Sequence, residues 1–186
     1  RDVLGSRGLG DVYKRQDESN KAPRRTLEMI SELLRYQLYG GNQKVSILQE
    51  IDYLKTYIAL RKLRMSERLR LRVEFPPELN ELNIYPLLFL PLVENAFKYV
   101  GGDYQLDIIM KWENNRISLF IRNSIPELSA EDEALRKSVD ERQRKGIGLV
   151  NLRRRLSLLY PNKHRLETRK EETEFVAELM IEIEDI

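Results

Sequence analysis

A chain of 186 residues is one domain, or one domain with an appendage. With 41% hydrophobic and 33% charged residues it has the composition of a globular protein with a densely charged surface, and no apolar run approaches the ~18 residues that a membrane-spanning helix needs. It has no cysteine, which excludes disulfides, thiolate metal sites and cysteine nucleophiles. Its single histidine, His164, excludes a histidine-cluster metal site and leaves little room for a Ser-His-Asp triad.

The net charge of +2 belongs to the first sixteen residues, RDVLGSRGLGDVYKRQ, which hold four basic side chains against two acidic ones; the remainder balances. The chain therefore carries no electrostatic footprint for nucleic acid. This leader holds three glycines and shows no helical or strand period, and its apolar residues are too few for a signal peptide. GSRGLGDVYKRQ resembles translated library-adaptor sequence. Residues 1–16 are therefore expected to be a non-native leader, the natural protein continuing further upstream, with a flexible native tail as the alternative.

From about Pro23 to Tyr39 the spacing predicts a helix, with Leu27, Ile30, Leu34 and Leu38 as its apolar stripe and Gly40-Gly41 as its end. Ser46 and Gln49 have capping-box spacing and open a second helix, with stripe Ile47, Ile51, Leu54 and Ile58, to about Met65. The period then changes. Leu69, Leu71, Val73 and Phe75 alternate with charged residues as a half-buried strand, closed by Pro76-Pro77. A helix entered near Pro86 runs through LLFLPLVENAFKYV to Gly101-Gly102. Two strands follow, one facing inward with Leu106, Ile108, Met110 and Trp112, the other with Ile117, Leu119 and Ile121. Asn114-Asn115 makes a tight hairpin between them.

Residues 125–145 break the rhythm with dense mixed charge, as a long mobile loop or a short solvated helix. A helix from about Gly148 to Tyr160 follows. His164–Thr168 and Glu174–Ile183 then form a closing hairpin, with Phe175, Ala177, Leu179, Ile181 and Ile183 inward. This order lacks the strand–helix alternation of a doubly wound fold. It predicts an α+β sandwich: a mainly antiparallel sheet with helices on one face.

Three segments could carry chemistry. In PLVENAFKYV, Val93, Ala96, Phe97 and Val100 form the buried stripe, leaving Glu94, Asn95, Lys98 and Tyr99 on the opposite face. A carboxylate, an amide and an ammonium there could hold hydrated Mg²⁺ and a polyphosphate, or be a solvated face with a Glu94–Lys98 pair. KGIGLVNL opens a helix with two glycines, a weak phosphate-cradle signal that is neither a dinucleotide fingerprint nor a Walker A loop. In IRNSIP, Asn123 could read an adenine edge or cap a turn.

In the order PLVENAFKYV, IRNSIP, charged segment, GIGLVNLRRRLSLLYPNKHRL, preceded by SELLRYQLYGGNQKVSILQEIDYLKTYIALRKLRMSERL, the chain resembles LytS/YehU-type sensor histidine kinases from about residue 22 to 184. The resemblance implies a Bergerat-fold ATP-binding domain at 67–186. Residues 17–66 would be the end of the dimerisation helices plus a lead-in helix. It implies ATP and Mg²⁺ as cofactors, with VENAFKY as the N box: Asn95 as Mg²⁺ ligand, Glu94 orienting water or hydroxyl, Lys98 and Tyr99 on phosphate. Gly146, Ile147 and Gly148, with Leu149 and Asn151, match the second glycine box. The implied partners are a response regulator, possibly of LytTR type, and a second copy in the full-length protein. Membrane attachment would come only through the N-terminal region, leaving this domain cytoplasmic on an inner-membrane protein.

Two departures stand out. Asn123 occupies the place of an Asp that accepts from the adenine amino group in many relatives, and Ile125 replaces the following glycine. The family's phosphoacceptor histidine, in an HFLFN-like motif upstream of SELLRYQLY, is not in this sequence, and His164 reads as a surface residue rather than a substitute. The basic run Arg153-Arg154-Arg155 reads as a solvated helix face with a phosphate or docking role as the alternative, and Trp112, Tyr53 and Tyr57 read as packing. Two other functions fit less well: a same-fold serine kinase of the anti-sigma type, and a degenerate scaffold that only dimerises.

Overall fold

The alternating runs become the centre of a five-stranded sheet in the computed structural model, which describes residues 22–38, 43–77, 79, 82–127 and 147–183. The leader and most of the charged segment, Gly146 included, lie outside the described residues. In chain order the elements are α1 (22–38), β1 (Val45–Ser46), α2 (Ile47–Lys62), β2 (Arg70–Glu74), β3 (Asn83–Ile84), α3 (Leu90–Tyr99), β4 (Gln105–Glu113), β5 (Arg116–Ser124), α4 (Ile147–Leu159), β6 (His164–Lys170) and β7 (Glu174–Glu182).

The sheet runs β2-β4-β5-β7-β6. Only the β2–β4 pair is parallel, and every other neighbour is antiparallel. Asn114 and Asn115 both take positive φ (51° and 59°), as a two-residue primed turn requires. Period 2 puts Leu106, Ile108 and Met110 of β4, Ile117, Leu119 and Ile121 of β5, and Ala177, Leu179 and Ile181 of β7 on one face, all nearly inaccessible. Helices α3 and α4 cover that face, α3 against β4 and β5 and α4 against β6. The other face keeps a shallow depression of about 450 Å³ over mixed side chains such as Lys111, Phe120, Glu178 and Met180. The fold is the α+β sandwich expected.

The capping box of α2 forms as its spacing implies. Leu48 N donates to Ser46 Oγ, and Ser46 N donates to Gln49 Oε1. All four stripe residues of α2 are buried, in the same core as the sheet's inner face. The two-residue strands β1 and β3 pair antiparallel beneath it, a ladder too short to carry a period.

Two expectations are corrected. Helix α3 begins at Leu90 with Pro91 in its first turn, not near Pro86; residues 86–89 form a turn in which Leu87 adopts φ 58°. In α1 the expected stripe faces outward, with Leu27, Leu34 and Leu38 54–78% exposed. The helix docks instead through buried Leu33 and half-buried Tyr36. Tyr36 stacks on Tyr53 (4.6 Å between centroids) and donates to Glu50 Oε2 (2.6 Å), while Gln37 Nε2 donates to the Tyr53 hydroxyl (2.8 Å). Polar partners on α2, which α1's own period does not contain, select the docking row.

Candidate functional site

Helix α3 divides as its sequence divides. Val93, Ala96 and Phe97 are buried and hold it on the sheet, while Glu94, Lys98 and Tyr99 are exposed and Asn95 is half-buried. Among the described residues Glu94 and Lys98 form no ion pair; Lys98 Nζ lies 4.9 Å from the centroid of the Tyr99 ring. Glu94 looks toward α2 instead. Partial burial pushes its carboxyl up and Arg61 pulls it down, and Glu94 in turn helps to raise Tyr53 and Tyr57, the latter pushed up to about 12 mainly by its own burial. The Arg61 guanidinium sits 5.7 Å from the centroid of Phe97, and its Nε is buried with no hydrogen-bond partner.

The far end of α3 is tied to the end of β5. Ser124 Oγ donates to the Gly101 carbonyl (2.6 Å) and accepts from Gln105 N (2.9 Å), and Gly101 N donates to the Ser124 carbonyl (3.0 Å). A Cβ on Gly101 would stand 2.9 Å from Pro126 Cδ, so only glycine lets strand and helix ends close together here. This clasp places Asn123, the residue before Ser124, beside the helix. Asn123 sits on the helix-covered face in register with Leu106 and Phe175, fully inaccessible. Its Nδ2 donates to the Ser124 carbonyl (3.3 Å), and its Oδ1 has no partner. A buried acceptor without a donor costs about 1–3 kcal/mol, so that oxygen would gain from an N–H, which a ligand could bring to it only where the side chains that cover it give way. An adenine amino group is such a donor.

Helix α4 opens at Ile147 and touches α3. Gly148 lies in its first turn, and among the described residues a Cβ there would meet nothing beyond its own helix within 4 Å. No packing demands this glycine, and the space above it is open to a ligand approaching the first-turn N–H groups. Leu149 turns its side chain into the core, leaving only its main chain for such a ligand, and Asn151 is exposed. Gly146 falls outside the described residues. Helix α3 thus packs against both β5 and α4, the elements that carry Asn123 and Gly148.

Several residues behave differently from their sequence reading. Arg153 Nη1 donates to the Leu166 carbonyl (2.9 Å), fastening α4 to β6, and Arg155 reaches the Leu87 carbonyl (3.5 Å). Two members of the basic run therefore hold main chain, Arg153 and Arg154 being exposed and Arg155 half-buried. His164 is half-buried rather than a surface residue. Its Nδ1 lies 2.7 Å from the Tyr160 carbonyl, which can only accept, so the ring is held as a donor over the end of α4.

Glu50 is the residue that sequence reasoning missed. It is fully buried on α2, where Oε2 accepts from Tyr36 and from Leu87 N (2.9 Å), while Oε1 is unpartnered. Burial pushes its carboxyl up; the Tyr36 hydroxyl and the amides of Leu87, Phe89 and Leu88 pull the other way. The only signal in the sequence was a carboxylate one residue before Ile51 of the stripe, which reads equally well as an exposed first-turn acid.

The fold is shared with a solved sensor histidine kinase. A mycobacterial sensor histidine kinase, MprB, superposes over 78% of this chain and 99% of its own at a TM-score of 0.50 and 13% identity. The Acinetobacter baumannii histidine kinase AdeS does so over 95% and 85% at 0.48 and 17%. In sequence, the family model described as histidine kinase matches residues 9–69, from inside the leader to the edge of β2. Sensor protein kinase HptS of Staphylococcus aureus (strain USA300) is 27% identical over 153 residues, 80% of this chain. The chain spans about 30% of the length of that relative. The chain is thus similar in sequence to a sensor histidine kinase over most of its length and shares its fold with another.

Proposed function

We propose that this chain is the nucleotide-binding part of a sensor histidine kinase in a two-component system. It would bind Mg·ATP and present the γ-phosphoryl group to a histidine on a segment outside residues 17–186, from which it passes to a response regulator. The orphaned Oδ1 of Asn123 carries the proposal, because a nucleotide base supplies the missing donor.

The other assignments follow from the same placement. Asn95, half-buried on the outer face of α3, is the Mg²⁺ ligand. Among the described residues no three Asp, Glu or His side chains cluster as a metal cage, which suits an ion that keeps most of its waters and arrives with phosphate. Lys98 and Tyr99 contact phosphate, and Glu94, flanked by Arg61, orients water or hydroxyl. Gly146, Ile147, Gly148, Leu149 and Asn151 contact phosphate, Ile147, Gly148 and Leu149 doing so through the free N–H groups of the first turn of α4. When bound, the nucleotide supplies the transferable phosphoryl group; the chain's residues supply position and charge neutralisation.

Residues 1–16 are read as a non-native leader, 17–66 as the end of the dimerisation helices and the lead-in, and 67–186 as the ATP-binding domain. In the full-length protein the chain pairs with a second copy and phosphorylates a response regulator of the LytTR type. It lies on the cytoplasmic side of a membrane to which upstream sequence anchors it.

Calorimetric titration with Mg·ATP tests the reading. Binding should be lost in Asn95→Ala and weakened at least tenfold in Asn123→Ala, the cost of one buried hydrogen bond being about 1.5 kcal/mol. Equal affinity in both variants and the parent chain would remove the assignment. Alone with ATP the chain should acquire no phosphohistidine, and His164→Ala should change nothing. Labelling that vanished with His164 would place the acceptor in the wrong segment.

A further inference from the structure

Helix α3 carries Glu94, Asn95, Lys98 and Tyr99, yet apart from Pro91 in its first turn no side chain of its own secures its start. The residue before it, Phe89, makes no side-chain cap bond, and no acidic residue lies in its first turn. The preceding turn is conformationally unusual as well, since Leu87 adopts a left-handed φ of 58° that residues other than glycine rarely hold unless surroundings impose it. Three elements do impose it. From α2, Glu50 Oε2 accepts the Leu87 N–H; from α4, Arg155 reaches the Leu87 carbonyl and Tyr160 Oη accepts Tyr85 N (3.2 Å). The third element is α1, whose Tyr36 hydroxyl donates to the same Glu50 oxygen.

We infer that Glu50 is a positioning residue for the nucleotide site, a buried carboxylate that fixes the turn before α3 and ties it to Tyr36, so that the seating of α1 and nucleotide binding on α3 are coupled. The nucleotide half of this rests on the function proposed above. The coupling needs no long wire. One oxygen atom accepts from α1 and from the turn, and α3 follows that turn within three residues. A displacement of α1 that withdraws Tyr36 leaves Glu50 buried with one partner fewer, and the strained turn with a weaker hold. Coupling is reciprocal, so nucleotide that orders α3 also favours α1 in its docked position.

The control is supplied by the neighbouring residue. Gln37 also reaches from α1 to α2, but its bond ends on Tyr53 and does not touch the turn. Loss of either side chain should loosen α1; only loss of Tyr36 should reach α3. Two measurements on the whole chain test this: Mg·ATP affinity by calorimetry, and amide exchange of residues 87–93 without nucleotide. Glu50→Ala should weaken Mg·ATP about fivefold or more, within the usual range of coupling between sites. Tyr36→Phe, which deletes one hydroxyl and folds, should weaken it about threefold, the scale of one hydrogen bond. Glu50→Gln, which keeps an acceptor for Leu87 N, should restore most of the affinity, and Gln37→Ala should leave it unchanged.

Exchange at 87–93 should quicken in Glu50→Ala and Tyr36→Phe but not in Gln37→Ala. If the parent chain binds Mg·ATP and Tyr36→Phe and Glu50→Ala bind it equally well, Glu50 is a packing residue and the inference falls while the nucleotide site stands. If Gln37→Ala weakens binding as much as Tyr36→Phe, general loosening of α1 explains the effect and the specific tie through Glu50 is wrong. If the parent binds no nucleotide, the proposed function fails together with the coupling to it. Faster exchange confined to the Tyr36 and Glu50 variants would then still show the tie between α1 and the turn.

Discussion

Helices α2 and α3 start in opposite ways. The first turn of α2 is closed by its own sequence, Ser46 and Gln49 exchanging bonds with each other's main chain. The first turn of α3 has Pro91 but no side-chain cap; a carboxylate some forty residues earlier reaches over from α2 and holds the turn that precedes it. A helix that caps itself folds the same way wherever it is placed. One capped from outside takes its position from the element that supplies the cap, which suits a helix bearing a binding site.

The comparison can be broken at its remote end first. Glu50→Ala removes the acceptor of both Tyr36 Oη and Leu87 N in a fully buried place, and should cost about 2–4 kcal/mol in urea denaturation. Next in size, Leu33→Ala should cost about 2 kcal/mol because that side chain seats α1, while Leu34→Ala, 54% exposed, should cost under about 0.5 kcal/mol. The local cap is worth less. Ser46→Ala should cost about 1 kcal/mol, since water can replace part of what the exposed hydroxyl supplies. If the Ser46 variant proved the more damaging of the two caps, the contrast between α2 and α3 would be reversed.

The same contrast explains what could be read from the sequence. Everything with a local cause was legible: the capping box of α2, the alternation of β4 and β5, the Asn114-Asn115 turn, and the two faces of α3. What was not legible depends on a distant partner. The row of α1 that docks is chosen by Tyr53 and Glu50 on another helix, and the true start of α3 depends on a turn whose Leu87 is held by Glu50 and Arg155. In the candidate site, the outward face of α3 was visible as periodicity. The isolation of Asn123 Oδ1 was not, because it arises where Leu106 and Phe175 flank it in register and Ser124 draws strand and helix together.

A subtler effect sharpens the view of Glu50. Its carboxyl is raised by burial above the ordinary value of 4.5, and the titratable groups around it are the tyrosine hydroxyls of Tyr36, Tyr53 and Tyr160, themselves raised and neutral in this range. Below pH ~4.5 the group is protonated whether the chain is folded or not, and its contribution is complete. Above that pH the unfolded chain releases its proton first, so the folded state loses stability as pH rises, until the folded carboxyl ionises too. Between pH 4 and 8 the unfolding free energy of the parent chain should fall relative to that of Glu50→Gln, the raised carboxyl of Glu94 being common to both. A parent that gained stability relative to the Gln variant over that range would mean that the amides of Leu87 to Phe89 outweigh burial and depress the carboxyl instead.

The smallest effect on stability belongs to Gly148, and there the two readings of a glycine separate cleanly. Among the described residues a methyl added at this position meets no atom beyond its own helix within 4 Å, and alanine is the better helix former, so Gly148→Ala should be neutral or stabilising by up to about 1 kcal/mol. If the glycine is merely a link between the charged segment and α4, nothing else changes. If the open space belongs to phosphate lying against the first turn, the methyl occupies it, and Mg·ATP affinity should fall in a protein that melts no earlier than its parent. Thermal denaturation and calorimetry on one preparation decide between these outcomes. Unchanged affinity would take Gly148 out of the site, and would leave the end of β5 and the outer face of α3 to hold the nucleotide.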